Sequence, residues 1–346
     1  MDLEKNLLRA MAKSMLNDVV STRAYEWVFR RYERFFKDKI VIDVGCRSGL
    51  LSLMSVEAGA IKVMALGNME SAEFVRKAFS NTEKEDIFEF VEGDIHEIVL
   101  PSGLKKVDII VSEWVGHSIF VESLFKEVIY AREKWLVKGG LIIPNVAHLF
   151  LCGIAQHPRD SIEVNILPQT DYPGRSYMVR EPVSLMEDYV PKEQMITEKY
   201  LLKTIDLLTA HINDESFRVP FRLRGLTDSP LGAVVLYSDI GFCRPKGKFR
   251  LLFSTGPKRP RTYLRQTILF MDDPVAVAKR ELVIGDLGMY YKPDQHREVE
   301  YSFSFASSKV ANTGSEESEE HEDVSGTDCD QANDVDLSEI KGGYSC

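Results

Sequence analysis

No apolar run in the 346-residue chain approaches the roughly 20 residues that a membrane-spanning helix needs. The first residues, MDLEKNLLRAMAKSML, mix both charge signs without a long apolar stretch, so no secretory signal is expected. Cysteine is sparse. The five cysteines, Cys46, Cys152, Cys243, Cys329 and Cys346, show no paired metal-ligand spacing, which argues against zinc or any other metal and for free thiols in a reducing, cytoplasmic setting. A basic excess is also missing. The chain holds 43 Lys and Arg against 53 Asp and Glu, so it lacks the charge of a dedicated nucleic-acid binder.

What charge there is sits at one end. From Ala306 to Cys346 there are eleven acids and two lysines, so the tail carries −9 of the net −10. With few apolar residues it cannot bury a core, and 306–346 is expected to be a disordered acidic tail. The plain expectation is a solvated stretch that aids solubility. The alternative is an acidic arm that meets a basic partner.

The rest is 44% hydrophobic overall, enough for a sizeable core. Leu7, Leu8, Met11, Met15 and Val19 recur at three- and four-residue spacing, and TRAYEWVFRRYERFF continues the helical pattern. These N-terminal helices end near residue 36. From Lys39 the period changes. KIVIDVG, KVMALG, FEFVEGD and VDIIVSEW read as strands, with LLSLMSVEAGA and SAEFVRKAFS as helices between them. Alternating strand and helix predicts an α/β unit over 37–144 with a doubly wound parallel sheet. After Pro144, strand-like segments joined by turns predict an antiparallel barrel or sandwich over 145–305. In its last strand Val299, Tyr301, Phe303 and Phe305 alternate with Glu300, Ser302 and Ser304. An interruption at about 156–180, with Pro158, Pro168, Pro173 and Gly174, reads as a projecting loop.

In such a sheet a ligand sits at the carboxyl ends of the strands. DVGCRSGLLSL places Asp43, Gly45 and Gly49 there. Glycines let the backbone approach a ligand and aim N–H groups at it. Arg47 stands where such a turn usually has another glycine. The next strand ends in Gly67, where an acid for two ribose hydroxyls is expected. VSEWVGHSIFVESLF carries Glu113 and Glu122 on either side of an aromatic loop. Two carboxylates in one concave site would grip a guanidinium; as ordinary surface acids they would do nothing.

The combination of DVGCRSGLLSLMSVEAGAIKV, VDIIVSEWVGHSIFVESLFKEVIYAREKWLVKGGLIIPN and FSTGPKRPRTYLRQTILF resembles the protein arginine methyltransferases, in order and up to about residue 305. That resemblance implies N-terminal helices, a Rossmann-type S-adenosylmethionine methyltransferase domain, and an antiparallel β-barrel with a helical dimerisation arm at about 156–180. It also marks departures. Arg47 replaces the middle glycine of the cofactor loop, Gly67 the ribose-binding glutamate, and Ser21 an arginine that holds the cofactor carboxylate. Thr262, Tyr263 and Leu264 stand where the family has Thr-His-Trp, and LLRAMAKSML lacks the tyrosines of the helix that folds over the cofactor. Glu113 and Glu122 match the family's double-glutamate loop.

Losing a carboxylate that takes two hydroxyls costs about 1.5–3 kcal/mol per charged hydrogen bond. An arginine overfilling a close-packed turn adds roughly 1–3 kcal/mol. Even partly additive, these reach on the order of 5 kcal/mol, more than a thousandfold in affinity. The expectation is that no cofactor is bound by this chain and that it has no catalysis of its own. Asp43, Gly45, Arg47, Gly49 and Gly67 would then be a vestigial pocket. The chain resembles, within that family, the inactive prozyme subunits that pair with and activate kinetoplastid type I enzymes. This implies a heterodimer or heterotetramer with a catalytic paralogue, which would hold S-adenosylmethionine and take arginine/glycine-rich proteins. Neither a membrane nor direct nucleic-acid binding is expected. Two alternatives stay open: an active methyltransferase with a divergent pocket, and a non-enzymatic scaffold for arginine-rich proteins. For Arg47, two placements are open: in solvent, or paired with Glu113 or Glu122 across the pocket.

Overall fold

Short β-branched runs closed by glycine build the first half of the molecule. The computed structural model describes residues 17–69, 71–72, 75, 79, 85–155, 166–169, 175–181, 187–244, 247–292 and 295–308. Two helices lead, α1 (Val19–Arg31) and α2 (Glu33–Phe36). They are followed by β1 (Ile40–Val44), α3 (Leu50–Glu57), β2 (Lys62–Gly67), β3 (Phe88–Glu92), β4 (Val107–Val111), α4 (Phe125–Trp135) and β5 (Leu136–Ile143). The five strands form one parallel sheet in the order β3-β2-β1-β4-β5. Val41, Ile42, Val63, Met64, Ile109 and Ile110 are buried, as strands covered on both faces require. The order reverses at β1, so the ends of β1 and β4 face a crevice. Most of the helix expected at SAEFVRKAFS, and all of residues 1–16, lies outside the described residues.

The second half is antiparallel. β6 (Val146–Ile154), β10 (Tyr200–Asp206), β12 (Ser229–Phe242), β14 (Gln266–Val277) and β9 (Glu187–Asp188) make one sheet, with β13 (Arg250–Ser254) paired to β12. β11 (Phe217–Arg224), β15 (Leu282–Lys292), β16 (Gln295–Ser308), β8 (Arg175–Glu181) and β7 (Ile166–Gln169) make the other. A bridge between Thr197 and Gly225 joins the sheets at one corner. The alternation read for the last strand is present: Val299, Tyr301, Phe303 and Phe305 are buried, and Phe303 stacks on Phe221 with centroids 5.2 Å apart.

The helical arm expected at 156–180 is corrected in its described part. Ile166–Gln169 and Arg175–Glu181 are two strands, β7 and β8, paired antiparallel, with β8 laid on β16. Pro168 lies within β7, the last strand of its sheet. At a sheet edge a missing N–H need not break a ladder, so a proline that reads as a breaker fits there. Pro158, Pro173 and Gly174 lie outside the described residues.

Candidate functional site

The turn after β1 is held from three sides. Cys46 N donates to the Leu66 carbonyl at 2.8 Å, and Ser112 Oγ donates to the Val44 carbonyl at 2.8 Å. Ser52 Oγ, on α3, donates to Asp43 Oδ2 at 2.7 Å. Asp43 is buried, and burial raises its pKa to about 6 despite that hydrogen bond. Gly45 and Gly49 both have positive φ, 69° and 80°. A Cβ on Gly45 would stand 2.3 Å from Leu124 Cδ1, the movable end of a side chain, so it is the positive φ that calls for glycine there.

Gly67, at the end of β2, is crowded. A Cβ there would stand 2.5 Å from Ser71 Oγ, 2.8 Å from the Cys46 carbonyl oxygen and 3.2 Å from Phe90 Cε2. Ser71 can turn away; the Cys46 carbonyl is main chain and cannot do so cheaply. The position therefore has no room for a side chain without movement of the turn itself. Arg47 is half-buried and crosses to the loop after β4, where one Nη donates to the Glu122 carbonyl at 3.4 Å. Of the two placements expected for Arg47, neither is met as stated: the head group is turned toward the loop rather than left in solvent, and its described acceptor is the main-chain oxygen of Glu122, not a carboxylate.

That loop is tightly bonded to itself. Gly116 N donates to the Ile119 carbonyl and His117 N to the Val121 carbonyl, at 2.9 and 3.0 Å. Trp114 is fully buried, and its Nε1 donates to the Pro144 carbonyl at 3.0 Å. Ser123 Oγ and Leu124 N both donate to the Trp114 carbonyl. The two glutamates end in different surroundings. Glu113 is buried, and burial, with Asp43 next, raises its pKa to about 8, while Arg47 pulls the other way. Glu122 is exposed, at φ 55°, and its charge bears on Tyr291 of β15.

Asp18, the cap of α1, closes the group. Its Oδ1 accepts from Val20 N and Ser21 N, at 2.9 and 3.2 Å, and its Oδ2 from Tyr263 N at 2.8 Å. Ser21 is buried in this first helical turn. Tyr25, one turn further, is buried and packs edge-on against Phe253. Burial and the nearby Glu113, Tyr263, Asp18 and Asp43 push its hydroxyl far up. Tyr263 is pushed up in the same way, by burial and then Glu113. Thr262 and Leu264 are buried, and Thr262 Oγ1 donates to the Leu264 carbonyl at 2.9 Å. The result is a crevice of acids and phenols, Asp18, Tyr25, Asp43, Glu113 and Tyr263, with Arg47 at its edge.

This chain is similar to known proteins over most of its length. The family described as "Ribosomal protein L11 methyltransferase (PrmA)" matches residues 27–143, and "Arginine methyltransferase oligomerization subdomain" matches 174–309. An Arabidopsis thaliana relative, "Probable protein arginine N-methyltransferase 1.2", is 33% identical over 304 residues, 85% of this chain and 80% of the relative. The chain belongs to the protein arginine methyltransferase family. A second relative, "Protein arginine N-methyltransferase 1" from Dictyostelium discoideum, is 31% identical, covering 88% of this chain and 89% of the relative. Among solved structures, a Trypanosoma brucei PRMT1 enzyme–prozyme heterotetrameric complex with AdoHcy superposes with a TM-score of 0.74 at 25% identity. The match covers 86% of this chain and 93% of that one.

Within this arginine methyltransferase fold, the turn carrying Asp43, Gly45, Arg47 and Gly49 lies against Gly67, and the charges of Asp43, Arg47 and Tyr263 act on or with Glu113. The structure separates the environments of Glu113 and Glu122. The raised pKa of Glu113 has burial and then Asp43 as its leading causes, and Glu122 is not among them. Sequence reasoning missed Asp18 and Tyr25. A helix-cap pattern marks Asp18, yet nothing local signals its bond to Tyr263, 245 residues away.

Proposed function

We propose that this arginine methyltransferase chain is a catalytically inactive, prozyme-like subunit that pairs with a catalytic type I paralogue and raises its activity. The observation that carries the reading is Arg47, whose guanidinium reaches from the first turn to the Glu122 carbonyl. In this reading the residues present do not fit S-adenosylmethionine. Gly67 stands where an acid is needed, and any side chain there meets the Cys46 carbonyl. Ser21, bonded into the Asp18 cap, is too short to do the work of an arginine. Tyr263 is tied to Asp18, and no step of methyl transfer is assigned to this chain. Pairing draws support from the enzyme–prozyme assembly of the Trypanosoma brucei neighbour and from the match to an oligomerization subdomain. Docking would act by differential contact: ordering the partner's cofactor-binding elements populates its competent state.

The test is calorimetric titration of S-adenosylmethionine into the purified chain alone, followed by methylation of an arginine/glycine-rich peptide by a catalytic paralogue with and without this chain. The expected result is no binding at millimolar cofactor and faster methylation in the mixture. Micromolar binding by the chain alone would support the second reading, an active methyltransferase with a divergent pocket. That reading draws on the names of the curated relatives and on the presence of both Glu113 and Glu122.

A further inference from the structure

Beside the crevice, and sharing Asp18 and Tyr263 with it, the antiparallel half carries a concentration of positive charge in a chain whose net charge is negative. Lys192, Lys258, Arg259, Arg261 and Arg265 are all exposed. They line two adjoining clefts of about 310 and 480 Å³ that share Tyr189, Arg261 and Thr262. The Arg261 guanidinium carbon lies 4.6 Å from the Tyr189 ring centre, and that of Arg265 lies 5.9 Å from it. Pro257 and Pro260 stiffen the loop that presents three of the five cations. The acids among the lining residues are Asp18 and Glu193. Asp18 is engaged by three backbone N–H groups, and Glu193 lies 4.0 Å from Lys192 at an exposed site. The cleft as a whole favours an anion.

The geometry selects among anions. Two guanidiniums already lie against Tyr189, the ring on which a base would stack, so single-stranded nucleic acid loses its usual platform. Arginine forks suit paired carboxylate oxygens. A segment rich in carboxylates is present in this chain. Ser315 to Asp323, SEESEEHED, holds six acids in nine residues. It begins seven residues after Ser308, the end of β16. Fifteen residues separate Ser308 from Asp323, a reach of about 50 Å at 3.3–3.6 Å each, comparable with the width of a domain of this size.

We propose that this cleft is a docking site for the chain's own acidic segment 315–323. The docking is electrostatic, so it loosens as salt rises, and phosphorylation of Ser315 or Ser318 would tighten it. This inference does not depend on whether the crevice binds a cofactor.

Carbodiimide cross-linking of the full chain, with the adducts mapped by mass spectrometry, tests it. At low salt, acids 316–323 should join Lys192 or Lys258. The yield should be unchanged on tenfold dilution and should fall about tenfold at 0.5 M salt, where screening shrinks to a few ångströms. The same fall is expected in the R259E/R261E/R265E variant, whose replaced residues are exposed. Adducts at comparable yield on exposed lysines elsewhere, such as Lys105 and Lys138, would overturn the proposal. So would a yield that drops with dilution, which points to a second copy. A labelled single-stranded oligonucleotide that binds the full chain as tightly as a variant with the six acids neutralised would assign the cleft to nucleic acid instead.

Discussion

The two walls of the crevice are built on different terms. On the side of β1 and β2, the residues around Gly67 and Arg47 fill space: Ser71, Phe90 and the Cys46 carbonyl crowd one, and the other reaches over the strand ends. On the side of β4, the loop from Glu113 to Leu124 is held by its own main chain and by Trp114, which no solvent touches. The first wall holds the residues read in the sequence as departures, Arg47 and Gly67; the second holds those read there as a match, Glu113 and Glu122. The comparison teaches that agreement there needs no catalytic explanation. Gly116 is required because a Cβ would stand 1.8 Å from the Val121 carbonyl, and Trp114 because it plugs the core and bonds Pro144. A motif kept for chemistry and one kept for folding look alike in a sequence.

The largest effect should come from breaking the second wall. Trp114→Ala is expected to cost about 3–5 kcal/mol, as a large buried aromatic does, seen as a lower urea midpoint. A smaller effect would mean that the loop is supported elsewhere, and its agreement with the family would again call for a functional cause.

Next is the pH dependence set by Glu113. Its pKa rises from 4.5 unfolded to about 8 folded. Between those values the folded state holds a proton that the unfolded state has lost, so stability falls as pH rises from about 4.5 to 8 and is fully reduced above that. The reduction is on the order of 5 kcal/mol. Asp43, raised to about 6, adds to the fall in the lower part of that window. Glu113→Gln should flatten the profile, measured by urea unfolding at pH 5 and pH 8.5.

On the first wall, Gly67→Ala should destabilise by roughly 1–3 kcal/mol through overpacking. The R47G/G67E pair should fail to give micromolar cofactor binding, because the side chain at 67 cannot enter without moving the turn. Recovery of that binding would break the comparison. Asp18→Ala should cost about 1–2 kcal/mol for the lost cap and speed amide exchange at Val20, Ser21 and Tyr263 together. The smallest effect is Arg47→Ala. Stability should change by less than about 0.5 kcal/mol, while carboxyl NMR shows Glu113 titrating still higher, since the one cation among its causes is gone.

Much of this was legible in the chain. Short apolar runs located four of the five parallel strands, β5 (Leu136–Ile143) being unread, and the alternation through Val299, Tyr301, Phe303 and Phe305 located the last antiparallel one. These signals are local, and burial enforces them. The β7–β8 hairpin was not legible, because Pro168 reads as a breaker unless one knows that its strand lies at a sheet edge. Nor were the unequal fates of Glu113 and Glu122. Both are glutamates flanking one loop, and only the packing of α1 and the 262–264 segment over the first leaves it dry. Tyr25 and Asp18 were missed for the same reason, since their roles arise where distant segments meet.

The Asp18 carboxylate has a consequence for how the molecule is made. One oxygen caps the start of α1 and the other holds Tyr263, so a single side chain near the beginning waits for a residue synthesised 245 positions later. Closing so long a loop carries an entropic cost that grows only slowly with length, but it cannot be met early. During translation the parallel sheet can form while α1 lacks this anchor. The crevice is completed only when the β13–β14 connection has left the ribosome, which makes the joining of the two halves a late event in the life of each new chain.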